Sequence, residues 1–203
     1  MGCLDVEGLA SEGWQMIEIK ISGRGGQGAV LASHILASAF FKEGMWVQAF
    51  PSFGAERRGA PVSAFVRVNR KEITLRCNIE HPDWIILLDV QLLQNPAMLS
   101  GVKANGCLLV NAPEMLEALN WPKSLNIFLV DASAISEILF LGISSFPVVN
   151  TAMIGAFAKA SGLVSLESVL DAVRDLVPSK KERNEAAVIE AFQRVKRGNL
   201  PNQ

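Results

Sequence analysis

The sequence predicts an α/β fold: a mostly parallel sheet with helices on both faces, an antiparallel hairpin and a helical C-terminal part. Three observations carry that reading. Short strand-like apolar runs alternate with helix-length stretches over most of the chain, the rhythm of βα units in a parallel sheet. Three of these runs, at residues 84–88, 107–110 and 127–130, are solidly apolar, as strands covered on both faces must be. Beyond Pro147 the remaining periodicity is helical.

Taken in order, residues 1–15 read as an N-terminal tail with neither a basic nor an apolar leader pattern. Residues 16–22 alternate Ile17, Ile19 and Ile21 with Glu18, Lys20 and Ser22, a strand with one polar face. A glycine turn, GRGGQG, spans residues 23–28, and residues 29–41 suit a buried helix ending near Gly44. Residues 46–50 resume as a short strand, so the opening of the chain predicts a βαβ unit with a parallel pair and a right-handed crossover. Residues 51–61 hold two prolines and two glycines and form a loop. Residues 62–68, the turn-like Asn69-Arg70-Lys71-Glu72 and residues 73–75 predict the hairpin. After the three solid strands, helices are expected over residues 149–160, 166–176 and 180–197, with Ser165 capping the second.

Composition narrows the function classes. A chain of 203 residues allows one domain, or one with a short appendage. Half its residues are hydrophobic and 19% are charged, with a mean hydropathy of +0.28, so the chain packs a core. A net charge of -1 argues against a coat for nucleic acid or acidic membrane. The longest apolar run is the five residues 84–88, far short of the roughly 18 that span a bilayer. No nucleic acid or membrane partner and a cytoplasmic location are the expectation. Cys3, Cys77 and Cys107 lie far apart with no CxxC, so local spacing builds neither an iron–sulfur cluster nor a zinc site. Charges do partition: residues 57–76 hold six bases and one acid, whereas residues 77–175 hold ten acids and four bases.

Gly23, Gly25 and Gly28 satisfy G-x-G-x-x-G between a strand and a helix. Such a turn brings backbone N–H groups at a helix N-terminus close to an anion, so phosphate or carboxylate suits it. A dinucleotide site also needs an acid at the end of the next strand, which here reads Gln48-Ala49-Phe50, and Arg24 and Gln27 add bulk to the turn. An independent NAD(P)-binding Rossmann-type oxidoreductase therefore stands as an alternative, beside a turn that merely packs a helix on a strand. Glu56-Arg57-Arg58-Gly59 places two guanidiniums at the carboxyl end of the second strand, where an arginine fork clamps phosphate or carboxylate; an ordinary solvated pair is the plainer reading. Asp89 and Asp131 follow strand-like runs, where acids more often cap the next helix than contact ligand. His34 reads as a core or interface residue of the first helix.

GRGGQG, then QAFPSFGAERRGAP over residues 48–61, Arg76, the strand around residues 83–89 and NTAMIGAF over residues 150–157 together resemble the gamma subunit of 2-oxoacid:ferredoxin oxidoreductases. The resemblance covers residues 16–177, which it implies are a Rossmann-like gamma-type domain, and leaves residues 178–203 as a C-terminal helix and tail. The wording Glu-Arg-Arg-Gly-Ala-Pro is similar to the pyruvate-type branch. What the resemblance implies is a heteromeric complex that oxidatively decarboxylates a 2-oxoacid to an acyl-coenzyme A and passes electrons to ferredoxin. This chain would join alpha-, beta- and delta-type subunits, with thiamine diphosphate and the iron–sulfur clusters on those partners. It would carry no catalytic or metal-ligating residue, bind no cofactor alone and be inactive alone, self-associating through the surface meant for partners. Its implied contribution is assembly and contact with coenzyme A through Gly23, Arg24, Gly25, Gly26, Gln27 and Gly28, and through Glu56, Arg57, Arg58 and Gly59.

Overall fold

The computed structural model describes residues 14–52, 61–115, 121–143 and 146–198. The alternating isoleucines build β1 (Ile17–Gly23), and the glycine turn feeds α1 (Ala29–Lys42). There follow β2 (Trp46–Pro51), β3 (Val62–Asn69) and β4 (Trp84–Leu87), then two 3₁₀ helices, Val90–Gln94 and Pro96–Met98. Next come β5 (Cys107–Asn111), β6 (Asn126–Val130), α2 (Ala132–Ile138) and a small ladder of β7 (Gly142–Ile143) with β8 (Phe146–Pro147). The chain then forms α3 (Asn150–Ser161), α4 (Leu166–Leu176), α5 (Lys181–Arg194) and β9 (Lys196–Arg197). Ser165 caps α4 as its sequence predicts, its hydroxyl accepting from the Ser168 N–H.

The seven-stranded sheet has the order β2-β3-β1-β4-β5-β6-β9. Its centre, β1, β4, β5 and β6, is parallel, and β3, β2 and β9 add antiparallel pairings at the flanks. The mostly parallel α/β reading is what forms, with three differences. First, β2 does not pair with β1: β3 stands between them, antiparallel to both. Burial explains the exchange, because β3 is buried from Ala64 through Val68 and so takes the inner place. β2 begins with a half-exposed Trp46 and suits the edge. Second, residues 73–75 form no strand, since both sides of β3 are already paired, so the antiparallel hairpin is β2–β3 and not residues 62–75. The segment after β3 crosses the polar face of the sheet, where Gln48 Nε2 donates to the Ile73 carbonyl and Arg67 Nη2 to the Asn78 carbonyl. Third, α5 stops at Arg194 and the chain rejoins the sheet as β9, where the Gly198 N–H donates to the Ile127 carbonyl.

The two faces are covered differently. Each of α1 to α5 contributes buried residues to the core over Ile19, Ile21, Trp84, Ile86, Leu109 and Val130. Trp84 lies stacked on Phe128 at 5.6 Å and edge-on to Phe157 at 5.0 Å. A Cβ at Gly155 would run into the Val188 carbonyl, so this glycine sets how closely α3 and α5 cross. The opposite face, Ile85, Leu87, Leu108, Val110, Ile127 and Leu129, is closed by Leu92 and Leu93 of the first 3₁₀ helix and by Trp121 and Leu125. Pro96 and the positive φ of Gly101 keep that connection from becoming a longer helix. Each fully buried large side chain contributes about 1.5–3 kcal/mol, so both layers hold the sheet. Among the described residues no helix is long and apolar enough to cross a membrane.

Candidate functional site

The carboxyl ends of β1, β4, β5 and β6 surround a cavity of about 230 Å³. Its position follows from topology: α1, which follows β1, lies on one face, and the 3₁₀ helices after β4 lie on the other, opening a crevice between the two strand ends. Arg24, Gln27, Leu88, Asp89, Val90, Asn111, Ser133 and Pro147 line it.

The glycine turn forms one wall. The Gln27 N–H donates to the Arg24 carbonyl at 3.1 Å, closing a turn whose third residue, Gly26, holds φ 93, a conformation that favours glycine. The Arg24 N–H in turn donates to Gln27 Oε1 at 2.7 Å. Gln27, bulk that a nucleotide fingerprint normally omits, is thus buried and ties the turn from within. Gly28 precedes α1 at φ 83 and leaves the helix N-terminus without a side-chain cap; a Cβ there would stand 2.5 Å from Asn150 Nδ2. At Gly23 a Cβ would meet Leu88 Cδ1 at 3.0 Å. Gly25 differs from its neighbours, having open space for a Cβ and no positive φ. Among the described residues no steric demand accounts for it.

Polar groups on the other strand ends complete the site. Arg24 Nε donates to Asp89 Oδ2 at 2.7 Å, and Asp89 Oδ1 accepts from the Gln91 N–H at 2.8 Å. Because Arg24 is half exposed, that ion pair is worth no more than about 1 kcal/mol and is replaceable. Asn111 Nδ2 donates to the Leu88 carbonyl and to Ser133 Oγ, and Asn111 Oδ1 accepts from the Ser133 N–H. With Ser133 Oγ already accepting, its proton is the part it offers a ligand. Asp131 accepts from the Ala134 N–H and caps α2. Both acids therefore cap helices as expected, and Asp89 pairs with Arg24 besides. The arrangement offers an anion the Arg24 guanidinium and the N-terminus of α1, and offers a hydroxyl the Asp89 carboxylate.

Of the residues singled out from sequence, Arg24 and Gln27 line the cavity, and Gly23, Gly25, Gly26 and Gly28 belong to the turn that carries them. Glu56, Arg57, Arg58 and Gly59 lie outside the described residues. His34 is exposed on α1 and not in the core, and His81 Nδ1 pairs with the Gly101 carbonyl away from the cavity. Asn111 and Ser133 escaped the sequence reading. The first left a trace, a polar residue closing an apolar strand; Ser133 left none. The dinucleotide geometry is missing its parallel neighbour, because the strand beside β1 on that side is β3, antiparallel to it. On the polar face of β1, burial pushes the Lys20 ammonium below its usual range, and Lys20 Nζ donates to the Met98 carbonyl. Among the described residues no group of three or more His, Cys, Asp or Glu is placed to hold a metal ion.

Comparison with known proteins adds a family. The family model described as pyruvate ferredoxin/flavodoxin oxidoreductase matches residues 18–194. Over 182 residues the chain is 48% identical to the pyruvate/ketoisovalerate oxidoreductases common subunit gamma of Thermococcus kodakarensis, covering 87% of this chain and 96% of that one. It is 45% identical over 178 residues to pyruvate synthase subunit PorC of Methanocaldococcus jannaschii, again with 87% and 96% covered. The crystal structure of pyruvate oxidoreductase subunit PORC from Thermotoga maritima matches with a TM-score of 0.75 at 32% identity, over 92% of this chain and 100% of that one.

Proposed function

The chain belongs to the pyruvate ferredoxin/flavodoxin oxidoreductase family as a gamma subunit, and from that premise we propose that it completes the assembled enzyme and holds part of coenzyme A at its glycine turn. The observation that carries this reading is Gly25: a glycine with room for a side chain and no need of positive φ, in the turn whose Arg24 and Gln27 line a cavity at the carboxyl edge of the sheet. A ligand that must touch the backbone there explains it. Coenzyme A supplies phosphates for the α1 N-terminus and the Arg24 guanidinium, and a ribose for Asp89 and Ser133. Glu56, Arg57, Arg58 and Gly59 are proposed, on their sequence, as a second anion-binding segment.

Decarboxylation and electron transfer fall to the partner chains in this account. The donor set supports this: the three cysteines lie far apart with no CxxC, and among the described residues no group of three or more His, Cys, Asp or Glu is placed to hold a metal ion. Alpha-, beta- and delta-type subunits would carry thiamine diphosphate and the clusters, with ferredoxin as the electron acceptor of the complex. The wording at residues 56–61 favours a pyruvate-type enzyme. The relative from Thermococcus kodakarensis is named as common to pyruvate and ketoisovalerate oxidoreductases. A subunit that two enzymes share does not distinguish their substrates, and by that analogy this chain is not what selects the 2-oxoacid.

The test is an assay of pyruvate- and coenzyme A-dependent reduction of a viologen dye. The purified chain alone gives no turnover, and reconstitution with the remaining subunits restores it. Substantial turnover in a sample shown free of other subunits overturns the reading.

A further inference from the structure

At the end of α2 the chain displays two large apolar side chains, Ile138 and Phe140, 64% and 70% exposed. Phe140 sits at φ 53, in the left-handed region that bulky residues rarely adopt. The residue that holds it there is unusual in the same way: Lys180, just before α5, also sits at φ 53, and its Nζ donates to the Phe140 carbonyl at 2.7 Å. Arg183 lies over the Phe140 ring at 5.7 Å from its centroid. Directly after Phe140, Leu141 is buried and its N–H donates to the Ser136 carbonyl, so the projection is rooted in the core. Two residues on separate elements thus hold strained backbone to present a ring that the fold itself does not bury. Strain held around an exposed aromatic is the kind of outlier that clusters at functional contacts.

The rim of this projection is basic. Lys180, Lys181 and Arg183 are exposed there, against the acids Glu137 and Glu182. The projection also adjoins the cavity, since Gly142, two residues after Phe140, pairs in the β7–β8 ladder with Pro147, which lines the cavity. We propose that Ile138 and Phe140 form a rigid anchor that inserts into an apolar pocket rimmed by carboxylates on another subunit of the oxidoreductase, beside the mouth of the cavity. The proposal rests on the reading of this chain as one member of a complex. A pre-formed anchor loses little conformational freedom on docking, and exposed aromatics of this kind dominate interface energies.

Strain makes the test diagnostic, because stability and assembly move in opposite directions. Phe140→Gly removes the backbone penalty, so the melting temperature of the isolated chain rises by roughly 2–4 °C. The same variant, co-expressed with the remaining subunits, binds them at least about tenfold more weakly. Ile138→Asp weakens assembly similarly with an unchanged melting temperature, and Arg183→Glu slows association and flattens its salt dependence. If wild-type chain assembles and both Phe140→Gly and Ile138→Asp keep its affinity, the anchor is overturned while the subunit reading stands. If wild-type chain does not co-purify with those subunits, the subunit reading fails and the anchor with it. A wild-type dimer in sedimentation that Phe140→Gly abolishes, with the heteromeric complex unaffected, would assign the surface to a second copy and overturn the proposal.

Discussion

Replacing the glycines of the turn one at a time separates what the fold needs from what a ligand needs. Gly28→Ala places a Cβ 2.5 Å from Asn150 Nδ2 and 3.1 Å from its Cγ, at φ 83. The left-handed conformation costs an alanine about 1–2 kcal/mol. Asn150 is 2% exposed and its Oδ1 accepts from the Thr151 N–H, so moving it aside risks a hydrogen bond worth about 0.5–1.5 kcal/mol. Together these predict a loss of about 1.5–3.5 kcal/mol, or roughly 3–14 °C in melting temperature for a chain of this size. Gly23→Ala meets Leu88 Cδ1, Gln27 Oε1 and Leu88 Cβ at 3.0, 3.1 and 3.2 Å, of which only the Leu88 methyl gives easily, and costs about 1–3 kcal/mol. Gly25→Ala meets nothing within 4 Å and stays within about 0.5 kcal/mol of wild type. Urea and thermal denaturation of the purified chain measure all three. A Gly25→Ala variant as unstable as Gly28→Ala, or a Gly28→Ala variant as stable as wild type, refutes the reasoning.

Three further outcomes test the packing and the electrostatics. Arg67 is 1% exposed and donates from Nε to Glu18 Oε1 at 2.8 Å, so Arg67→Met strands a carboxylate under the sheet and costs about 3–5 kcal/mol by urea denaturation; adding Glu18→Gln recovers part of it. Gly155→Ala forces α3 away from the Val188 carbonyl of α5 and costs about 1–3 kcal/mol, measured the same way. The Lys42 ammonium, bonded to Asp175 Oδ2 at 2.8 Å, holds the Asp175 carboxyl below the usual carboxylate range. A carboxyl depressed in the folded state lends stability above the ordinary carboxylate range, and that contribution is lost as pH falls through the folded value. An NMR titration of Lys42→Ala therefore shows the Asp175 carboxyl returning upward to the ordinary range.

The parallel centre of the sheet was legible because its strands are solid apolar runs, and the helices after Pro147 because their periodicity is unbroken. The order of the first three strands was not legible. Adjacency in sequence suggested β1 beside β2, whereas burial put β3 between them, and a buried Arg67 disguised β3 as a peripheral strand. The glycine turn announced itself through residue types that few other structures demand. The other half of the cavity did not: Arg24 and Asp89 are 65 residues apart, and Asn111 and Ser133 are 22 apart, so only the sheet brings them together. Phe140 and Lys180 in left-handed conformations carry no sequence signal at all, since glycine or asparagine is what such positions normally announce.

Steady-state kinetics of the assembled enzyme carrying Arg24→Ala is the most direct test of the site. Arg24 is half exposed and its pairing with Asp89 is weak, so the variant folds and assembles as wild type does. Losing a charge-assisted contact to a phosphate, worth about 1.5–3 kcal/mol, weakens the apparent affinity for coenzyme A by about ten- to a hundredfold. The Michaelis constant for pyruvate moves much less. An assembled variant that keeps the wild-type dependence on coenzyme A contradicts the account.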